Sequence, residues 1–188
     1  MNLETIISIC LGIGLAASVG FRVFLPLFAL SLSSYFDILD LNESWQWIGS
    51  LSALIILGVA TLVEIFAYFI PYIDNLLDSI AVPLAAFAGT VVMLSTVVNL
   101  SPEITWALAI IAGGGTAAAI SSTSSAARLT STVTTGGIGN PIVSTVETGT
   151  AFIISLVSII LPLFAAILVV LILLIIFRFY KKFKTPKG

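Results

Sequence analysis

Four charged residues stand inside otherwise apolar sequence: Arg22, Glu64, Arg128 and Glu147. Arginine stays protonated under ordinary conditions, whereas a glutamate can become neutral when it is dehydrated. A charged side chain at the centre of a bilayer costs between about 2.5 and about 17 kcal/mol, depending on the method. Such residues therefore persist where they pair or where they line a hydrated cavity. We predict the pairs Arg22–Glu64 and Arg128–Glu147, with Arg22–Glu147 as the alternative.

The sequence around Arg128 is unusually polar for this chain. Eight Ser and Thr lie between Ser121 and Thr132, and the breaker sequence Gly-Gly-Ile-Gly-Asn-Pro follows at 136–141. A broken helix is tolerated at membrane depth only where protein or water forms hydrogen bonds with the freed backbone groups. The N-terminus of the helix that follows the break attracts anions, because its N–H groups are free. Two structural ion pairs, with small residues that allow close helix packing, are the simpler alternative.

We favour a polar cavity that binds a small anion, a carboxylate solute or an anionic lipid headgroup. The candidate binding residues are Arg22, Arg128, Ser124, Ser125, Asn140, Ser144 and Thr145. Glu64 and Glu147 are candidates for ion pairing or for proton coupling, because a glutamate can change its charge when its surroundings dry out.

The elements that position these residues follow from composition. Of 188 residues, 59% are hydrophobic and 9% are charged, whereas a soluble domain is typically about 25% charged. This predicts an all-α, polytopic helical membrane protein. The chain has no His, which excludes imidazole metal sites and Ser–His catalysis, and Cys10 alone cannot form a disulfide within one chain. We expect no enzyme, no metal, no cofactor and no nucleic-acid partner.

The apolar runs predict about six membrane crossings, with five as the alternative. Residues 3–34 are too long for one straight span, so we expect a break near Gly20–Pro26. Further spans are expected at 48–70, 80–98 and 105–130, with 72–80 as a short amphipathic connection. Residues 142–178 are also too long for one span, and Pro162 is the expected place of either a kink or a tight turn between two spans, a choice that changes the number of crossings. A single transmembrane domain would then cover 1–180, followed by a basic tail at 181–188.

Two halves of the chain, 1–98 and 105–180, share an order of features. Each half has an apolar-flanked Arg, then a Glu, then a Pro-Leu helix start. Such order is typical of an inverted-topology repeat in transporters. Chance similarity between apolar segments is the alternative.

Charge distribution predicts orientation. Five of the seven basic residues lie in the final stretch, from Arg178 onward, and basic segments remain in the cytoplasm. The C-terminus is therefore expected inside and the acidic loop Asp37–Glu43 outside, with Trp45 and Trp47 as interfacial anchors.

Two segments carry a family resemblance: "GFRVFLPL" at Gly20–Leu27 and "GGIGNPIVSTVE" at Gly136–Glu147. They resemble an uncharacterised family of bacterial and plastid-type integral membrane proteins, domain of unknown function 4126, over nearly the whole chain. The resemblance implies a multi-pass protein of the bacterial inner membrane and implies no activity.

The functional expectation is a small transporter or channel-like protein. Flipping or scrambling of anionic lipids is one alternative, and a structural membrane protein without transport is another. The lipid bilayer is the expected partner. A homodimer is a further hypothesis, because Gly12, Gly14 and Gly113–Gly115 offer close-packing faces.

Overall fold

The computed structural model describes residues 2–70 and 73–184, and it is all-helical over these ranges. A 3-10 helix, Glu43–Gly49, precedes α3, and a π-helical turn, Ala109–Gly114, joins α5 to α6. The α-helices are α1 Leu3–Val19, α2 Phe24–Tyr35, α3 Leu51–Ala67, α4 Ile73–Thr96, α5 Pro102–Leu108, α6 Gly115–Thr135, α7 Asn140–Ile160 and α8 Pro162–Lys184. The C-terminal part of the predicted basic tail, 185–188, lies outside the described residues.

The predicted helix breaks are confirmed where Gly and Pro mark them. The chain leaves α1 after Val19 and enters α2 at Phe24. It leaves α6 at Gly136, whose φ of 64° is left-handed and therefore suits glycine. It also leaves α7 at Ile160 and begins α8 at Pro162, because proline is favoured in the first turn of a helix.

One predicted interruption is wrong. From Ile73 onward, the expected connection at 72–80 is part of α4, which continues without a break to Thr96. The three glycines at 113–115 lie inside one helical segment, as the expected span 105–130 requires, since a helix runs from Pro102 to Thr135 with only a π-helical turn inside it. Local propensity is overridden here by packing between helices.

Close packing explains the glycines. A Cβ on Gly113 would lie 2.5 Å from the carbonyl oxygen of Gly89, so α4 meets the α5–α6 helix backbone to backbone. Gly12 faces Met93 and Gly14 faces Ser158 within the same chain. The faces of Gly12, Gly14 and Gly113 are therefore used inside the protomer, whereas Gly115 has open space beside it, and the homodimer stays a prediction.

Helix α1 lies at the centre of the bundle. Its residues Leu11, Leu15 and Val19 join a core cluster with residues of α2 and α4, and Ala17 joins a second cluster with α6 and α8. Because α1 contacts helices from both parts of the chain, it positions the α1–α2 break deep inside the protein.

Contacts define the two ends of the bundle. At one end, which we call the tryptophan end (the start of α1, residues 36–50 and residues 97–106), Asn99 Nδ2 donates to Glu4 Oε2 at 2.9 Å. There too, the backbone N–H of Asn42 donates to Ser95 O at 2.9 Å. Helices α1 and α2 thus form a hairpin that returns to the end where it begins.

The opposite end, which we call the glycine-turn end, contains the starts of α4 and α7 and the turn at 136–139. Asn140 Nδ2 donates to Asp74 Oδ2 there at 2.9 Å. Because each long helix runs from one end to the other, α8 also finishes at this end.

Helix length and composition point to a membrane protein. In the described residues, three helices are long and apolar enough to cross a membrane: α4, the continuous helix Pro102–Thr135, and α7. A fourth is added if the 3-10 helix and α3, bent by 64°, count as one span. The numbers of crossings expected from the sequence, six or five, stay predictions.

Candidate functional site

Three elements bring the charged residues together. The α1–α2 break provides Arg22, α6 presents Ser124 and Arg128 one helical turn apart, and α7 presents Ser144 and Glu147. Residues three or four positions apart share a helix face, which is why each helix contributes a small set of side chains to the same point. The set meets nearer the glycine-turn end than the tryptophan end.

The carboxylate of Glu147 is the centre of the site. Arg22 Nη1 donates to Glu147 Oε2 at 3.2 Å, and Arg128 Nε donates to Glu147 Oε1 at 3.1 Å. Arg128 Nη2 and the hydroxyl of Ser124 also donate to this carboxylate. The predicted pair Arg128–Glu147 is therefore confirmed, and so is the alternative pair Arg22–Glu147.

Arg22 is held on several sides and is only 1% exposed. Its Nε donates to the hydroxyl of Thr148 at 2.9 Å. Its Nη2 donates to Ser144 twice, to the carbonyl oxygen at 3.0 Å and to the hydroxyl at 2.6 Å. The guanidinium group is thus fixed against the first turns of α7, and the prediction of a site role for Ser144 agrees with its position.

Glu64 has a different partner from the one we expected. Its carboxylate accepts the backbone N–H of Val23 at 2.7 Å and that of Phe24 at 3.0 Å. Within the described ranges no ion pair joins it to Arg22, so the predicted pair Arg22–Glu64 is wrong. The first turn of a helix has free N–H groups and a partial positive charge. The carboxylate of Glu64 accepts hydrogen bonds from these N–H groups and places negative charge beside the partial positive charge at the start of α2.

Tyr68 is a site residue that the sequence reasoning missed. The central carbons of the two guanidinium groups lie 4.1 Å (Arg22) and 4.0 Å (Arg128) from the centroid of its ring. A cation close to an aromatic face is attracted by the ring. The available signal was its position four residues after Glu64, directly after the end of α3.

Asp74 and Asp78 are also site residues that the sequence reasoning missed, because they fall in the segment 72–80 that it predicts to be a short amphipathic connection. Asp78 Oδ1 lies 3.7 Å from Arg128 Nε. Asp74 is buried and accepts from the side-chain amide of Asn140, which also donates to the hydroxyl of Thr132 at 2.9 Å. Their four-residue spacing, which places both on one face of a helix, was the signal available in the sequence.

Most of the hydroxyl run faces away from the site. Thr145 is exposed and donates to the carbonyl oxygen of Pro141, so its predicted binding role is not supported by its position. Ser122, Thr123 and Thr130 are exposed and donate to carbonyl oxygens four residues earlier. Small polar side chains satisfy themselves in this way inside helices. From the run, the charged cavity is lined by Ser121, Ser124 and Ser125.

The space around the arginines is nearly closed. It measures about 10 Å³, which is close to the volume that one water molecule needs. Its walls include Arg22, Arg128, Glu64 and Glu147. Side chains that pair with one another therefore occupy the place of the expected open cavity.

Two larger spaces adjoin the closed one, and Tyr68 lines all three. A polar pocket of about 510 Å³ at the glycine-turn end is lined by Asp74, Thr132 and Asn140 among others. An apolar groove of about 530 Å³ lies between α3 and α4 and reaches Glu64. Over residues 2–70 and 73–184, no group of three His, Cys, Asp or Glu side chains is placed to hold a metal ion.

The fold and the site define an all-helical protein with the apolar helices of a membrane protein and a buried arginine–glutamate cluster. The chain belongs to the family described as Domain of unknown function (DUF4126), whose profile matches residues 9–182. This confirms the resemblance seen in the sequence. Comparisons with curated proteins and with solved structures gave no match.

Proposed function

We propose that the protein is a membrane transporter or channel that binds a small anion or carboxylate solute at Arg22 and Arg128. One observation carries this proposal: two buried arginines share a single carboxylate, that of Glu147. In this arrangement the side chain of Glu147 occupies the position that a substrate carboxylate would take.

The hydrogen bonds leave capacity for a substrate. The buried Nη1 of Arg128 has no hydrogen-bond partner among the described residues. An unpaired buried donor is costly, and an anion that replaces Glu147 would use this donor as well. Protonation of Glu147 would weaken its hold on both arginines, which makes Glu147 the candidate for proton coupling. Glu64 is a weaker candidate, since backbone N–H groups hold its carboxylate.

The polar pocket at the glycine-turn end would give a substrate a route to the two arginines. It is separated from the arginines by Tyr68, which lines both spaces. Movement of this one side chain would connect the pocket with the charged cavity. In this mechanism Tyr68 acts as the barrier, and its ring stabilises the two cations while the site is closed.

Liposome uptake tests the proposal. Purified protein is reconstituted, and uptake of radiolabelled acetate, succinate and inorganic phosphate is measured. Arg128→Lys keeps the charge but loses the planar fork that binds two oxygens, so we expect at least about tenfold lower uptake, equivalent to about 1.4 kcal/mol. Arg178→Lys, at an exposed position near the end of α8, is the matched control. Wild-type uptake that Arg128→Lys and Glu147→Gln both retain in full would contradict the proposal.

Handling of an anionic lipid is a second candidate. The apolar groove between α3 and α4 is a lateral opening, and its wall runs from Ile55 and Val59 to Glu64 and Tyr68. A lipid tail in this groove would place its headgroup beside the charged cluster. Scrambling of fluorescent phosphatidylglycerol in the same liposomes, without uptake of soluble anions, would favour this candidate. Absence of both activities would favour the structural role.

For the arrangement in the membrane, we propose a location in the bacterial cell membrane with a cytoplasmic C-terminus. The hairpin of α1 and α2 returns to the tryptophan end, as the contacts of Glu4 and Asn42 indicate. This supports five crossings, by α3, α4, the α5–α6 helix, α7 and α8, with α1–α2 as a re-entrant hairpin. The inverted repeat has less support, because Arg22 lies in a break whereas Arg128 lies inside α6.

A further inference from the structure

A further pocket, which we call the tryptophan pocket, lies at the tryptophan end, away from the arginine cluster. It measures about 360 Å³ and is enclosed by the 3-10 helix, the end of α4 and the start of α5. The chain contains three tryptophans, and all of them line this pocket: Trp45, Trp47 and Trp106. The polar side chains of Ser44 and Thr105 complete part of its wall.

The pocket has one fixed aromatic wall and two accessible ones. Trp45 is partly buried and packs against the cluster around Met93, whereas Trp47 and Trp106 are 60% and 53% exposed. The rings of Trp45 and Trp47 have centroids 6.2 Å apart and planes tilted by 35°. The tryptophans therefore present ring surface to a ligand while one of them is held by the core.

The segment that carries two of these rings is anchored. The backbone N–H of Asn42 donates to Ser95 O at 2.9 Å, and its side-chain amide donates to Val97 O at 3.0 Å. Its side-chain oxygen also accepts from the N–H of Ser44 at the start of the 3-10 helix. A pocket whose wall is fixed in this way is preformed and does not require ordering when a ligand binds.

A role as anchors at the membrane interface does not fully explain the arrangement of the three tryptophans. Tryptophans that only anchor a protein are distributed around its circumference at the membrane surface. Here Trp106 and the pair Trp45 and Trp47 come from segments about 60 positions apart and converge on one concavity. This convergence of three tryptophans on one concavity is typical of a ligand-binding site.

Charge indicates which ligand fits. Among the residues that the structure describes, the side chains at the tryptophan end include acidic ones and no basic one, since Arg22 and Arg128 lie in the buried cluster and Arg178 lies near the end of α8. The acids at this end are Glu4, Asp37, Asp40, Glu43 and Glu103. Aromatic rings in an electronegative setting recognise quaternary ammonium groups by cation–π attraction.

We propose that the tryptophan pocket binds a quaternary ammonium group of the choline type. The trimethylammonium group would lie against the rings of Trp47 and Trp106, beside the fixed ring of Trp45. This site is independent of the anion site, because the two lie at opposite ends of the bundle and have opposite charge preference.

Intrinsic tryptophan fluorescence tests this proposal directly, since every tryptophan in the chain lines the pocket. Full-length protein in maltoside detergent is titrated with choline chloride. The neutral isostere 3,3-dimethyl-1-butanol and sodium chloride at equal ionic strength are the controls. We expect a saturable change with choline alone. A response that does not saturate, or one that the neutral isostere reproduces, would overturn the proposal.

Variants connect the signal with the rings. Trp106→Leu should weaken choline binding about tenfold or more, and Trp106→Phe should restore part of the affinity because it keeps an aromatic face. Phe87→Leu, at an exposed aromatic on α4, should leave binding unchanged. Equal affinity in wild type and Trp106→Leu would contradict the assignment of the site.

Lipid nanodiscs distinguish the two possible sources of the quaternary ammonium group, a lipid headgroup and a free solute. If the ligand is a lipid headgroup, adding phosphatidylcholine to phosphatidylglycerol nanodiscs should reproduce the fluorescence change and compete with choline. If the ligand is a free solute, choline alone should produce it. Either result supports the site, and a lack of response to both would refute it.

Discussion

Arg22 and Glu147 are 125 positions apart in the chain, and their side chains form a buried ion pair with Arg22 Nη1 3.2 Å from Glu147 Oε2. Arg128 donates to the same carboxylate. Glu147 is therefore the carboxylate that contacts both arginines, while Asp78 lies 3.7 Å from Arg128 alone. The three residues Arg22, Arg128 and Glu147 tie the α1–α2 break to α6 and α7. Because Glu147 contacts two cations, single substitutions in this cluster should have unequal consequences.

Replacement of Glu147 should cost more stability than replacement of either arginine. Glu147→Gln leaves two cations facing each other, whereas Arg128→Gln leaves the pair Arg22–Glu147 intact. Breaking a buried pair typically costs about 3–5 kcal/mol, and we expect Glu147→Gln at the upper end of this range. Thermal unfolding of the purified protein in detergent measures the difference. Glu103→Gln, at an exposed position, is the control, and a larger loss for Arg128→Gln than for Glu147→Gln would contradict the expectation.

Glu64 should act mainly as a hydrogen-bond acceptor for the start of α2. Glu64→Leu removes both acceptor oxygens, while Glu64→Gln keeps one of them. A lost helix cap costs about 0.5–2 kcal/mol, so Glu64→Leu should lower the melting temperature clearly and Glu64→Gln should lower it less. The same thermal assay compares the two variants. If Gln proves as harmful as Leu, the charge of Glu64 is the important property and the cap is secondary.

Two glycines of the same triplet should respond in opposite ways to alanine. A Cβ on Gly113 would lie 2.5 Å from the carbonyl oxygen of Gly89, whereas a Cβ on Gly115 meets nothing within 4 Å. Gly113→Ala should therefore destabilise the protein by forcing α4 and the α5–α6 helix apart. Gly115→Ala should stabilise it by up to about 1 kcal/mol, because alanine is the better helix former. Similar melting temperatures for the two variants would show that the helices do not approach so closely.

The two ends of the bundle should lie on opposite sides of the membrane. Cys10 is the single cysteine, so a Cys10→Ser background permits site-specific labelling of Ser44→Cys and Arg178→Cys in intact cells. A membrane-impermeant maleimide should label position 44 alone, and position 178 should react only after the membrane is permeabilised. Labelling of position 178 in intact cells would reverse the proposed orientation.

The sequence alone determined the class of protein and the places where helices break. Composition and apolar run length are properties of the chain itself, and Gly and Pro act on the backbone at their own positions. The breaks after Val19 and at Gly136 and Pro162 were therefore predictable. The triplet at 113–115 was expected inside one span with close-packing faces, and Gly113 and Gly114 do lie against α4, whereas Gly115 does not, a distinction that a local rule cannot make.

The sequence also identified the four charged residues, because charge in apolar sequence is conspicuous on any fold. Which charges meet was decided by tertiary structure. Glu64 is close enough along the chain to suggest Arg22 as its partner, yet its carboxylate reaches the free N–H groups at the start of α2. Arg22 instead contacts α7, because α1 carries the break to the centre of the bundle.

The contacts of Tyr68 and Asp78 with Arg128 became evident only from the tertiary structure. Neither residue type is unusual near the end of a membrane helix, and their importance comes from contact with Arg128 on a distant helix. The same holds for the size of the charged cavity, since hydroxyl residues on α6 point in every direction around the helix and few of them face Glu147. Local sequence sets which groups are present, and long-range packing sets which of them touch, because contacts between helices depend on residues far apart in the chain.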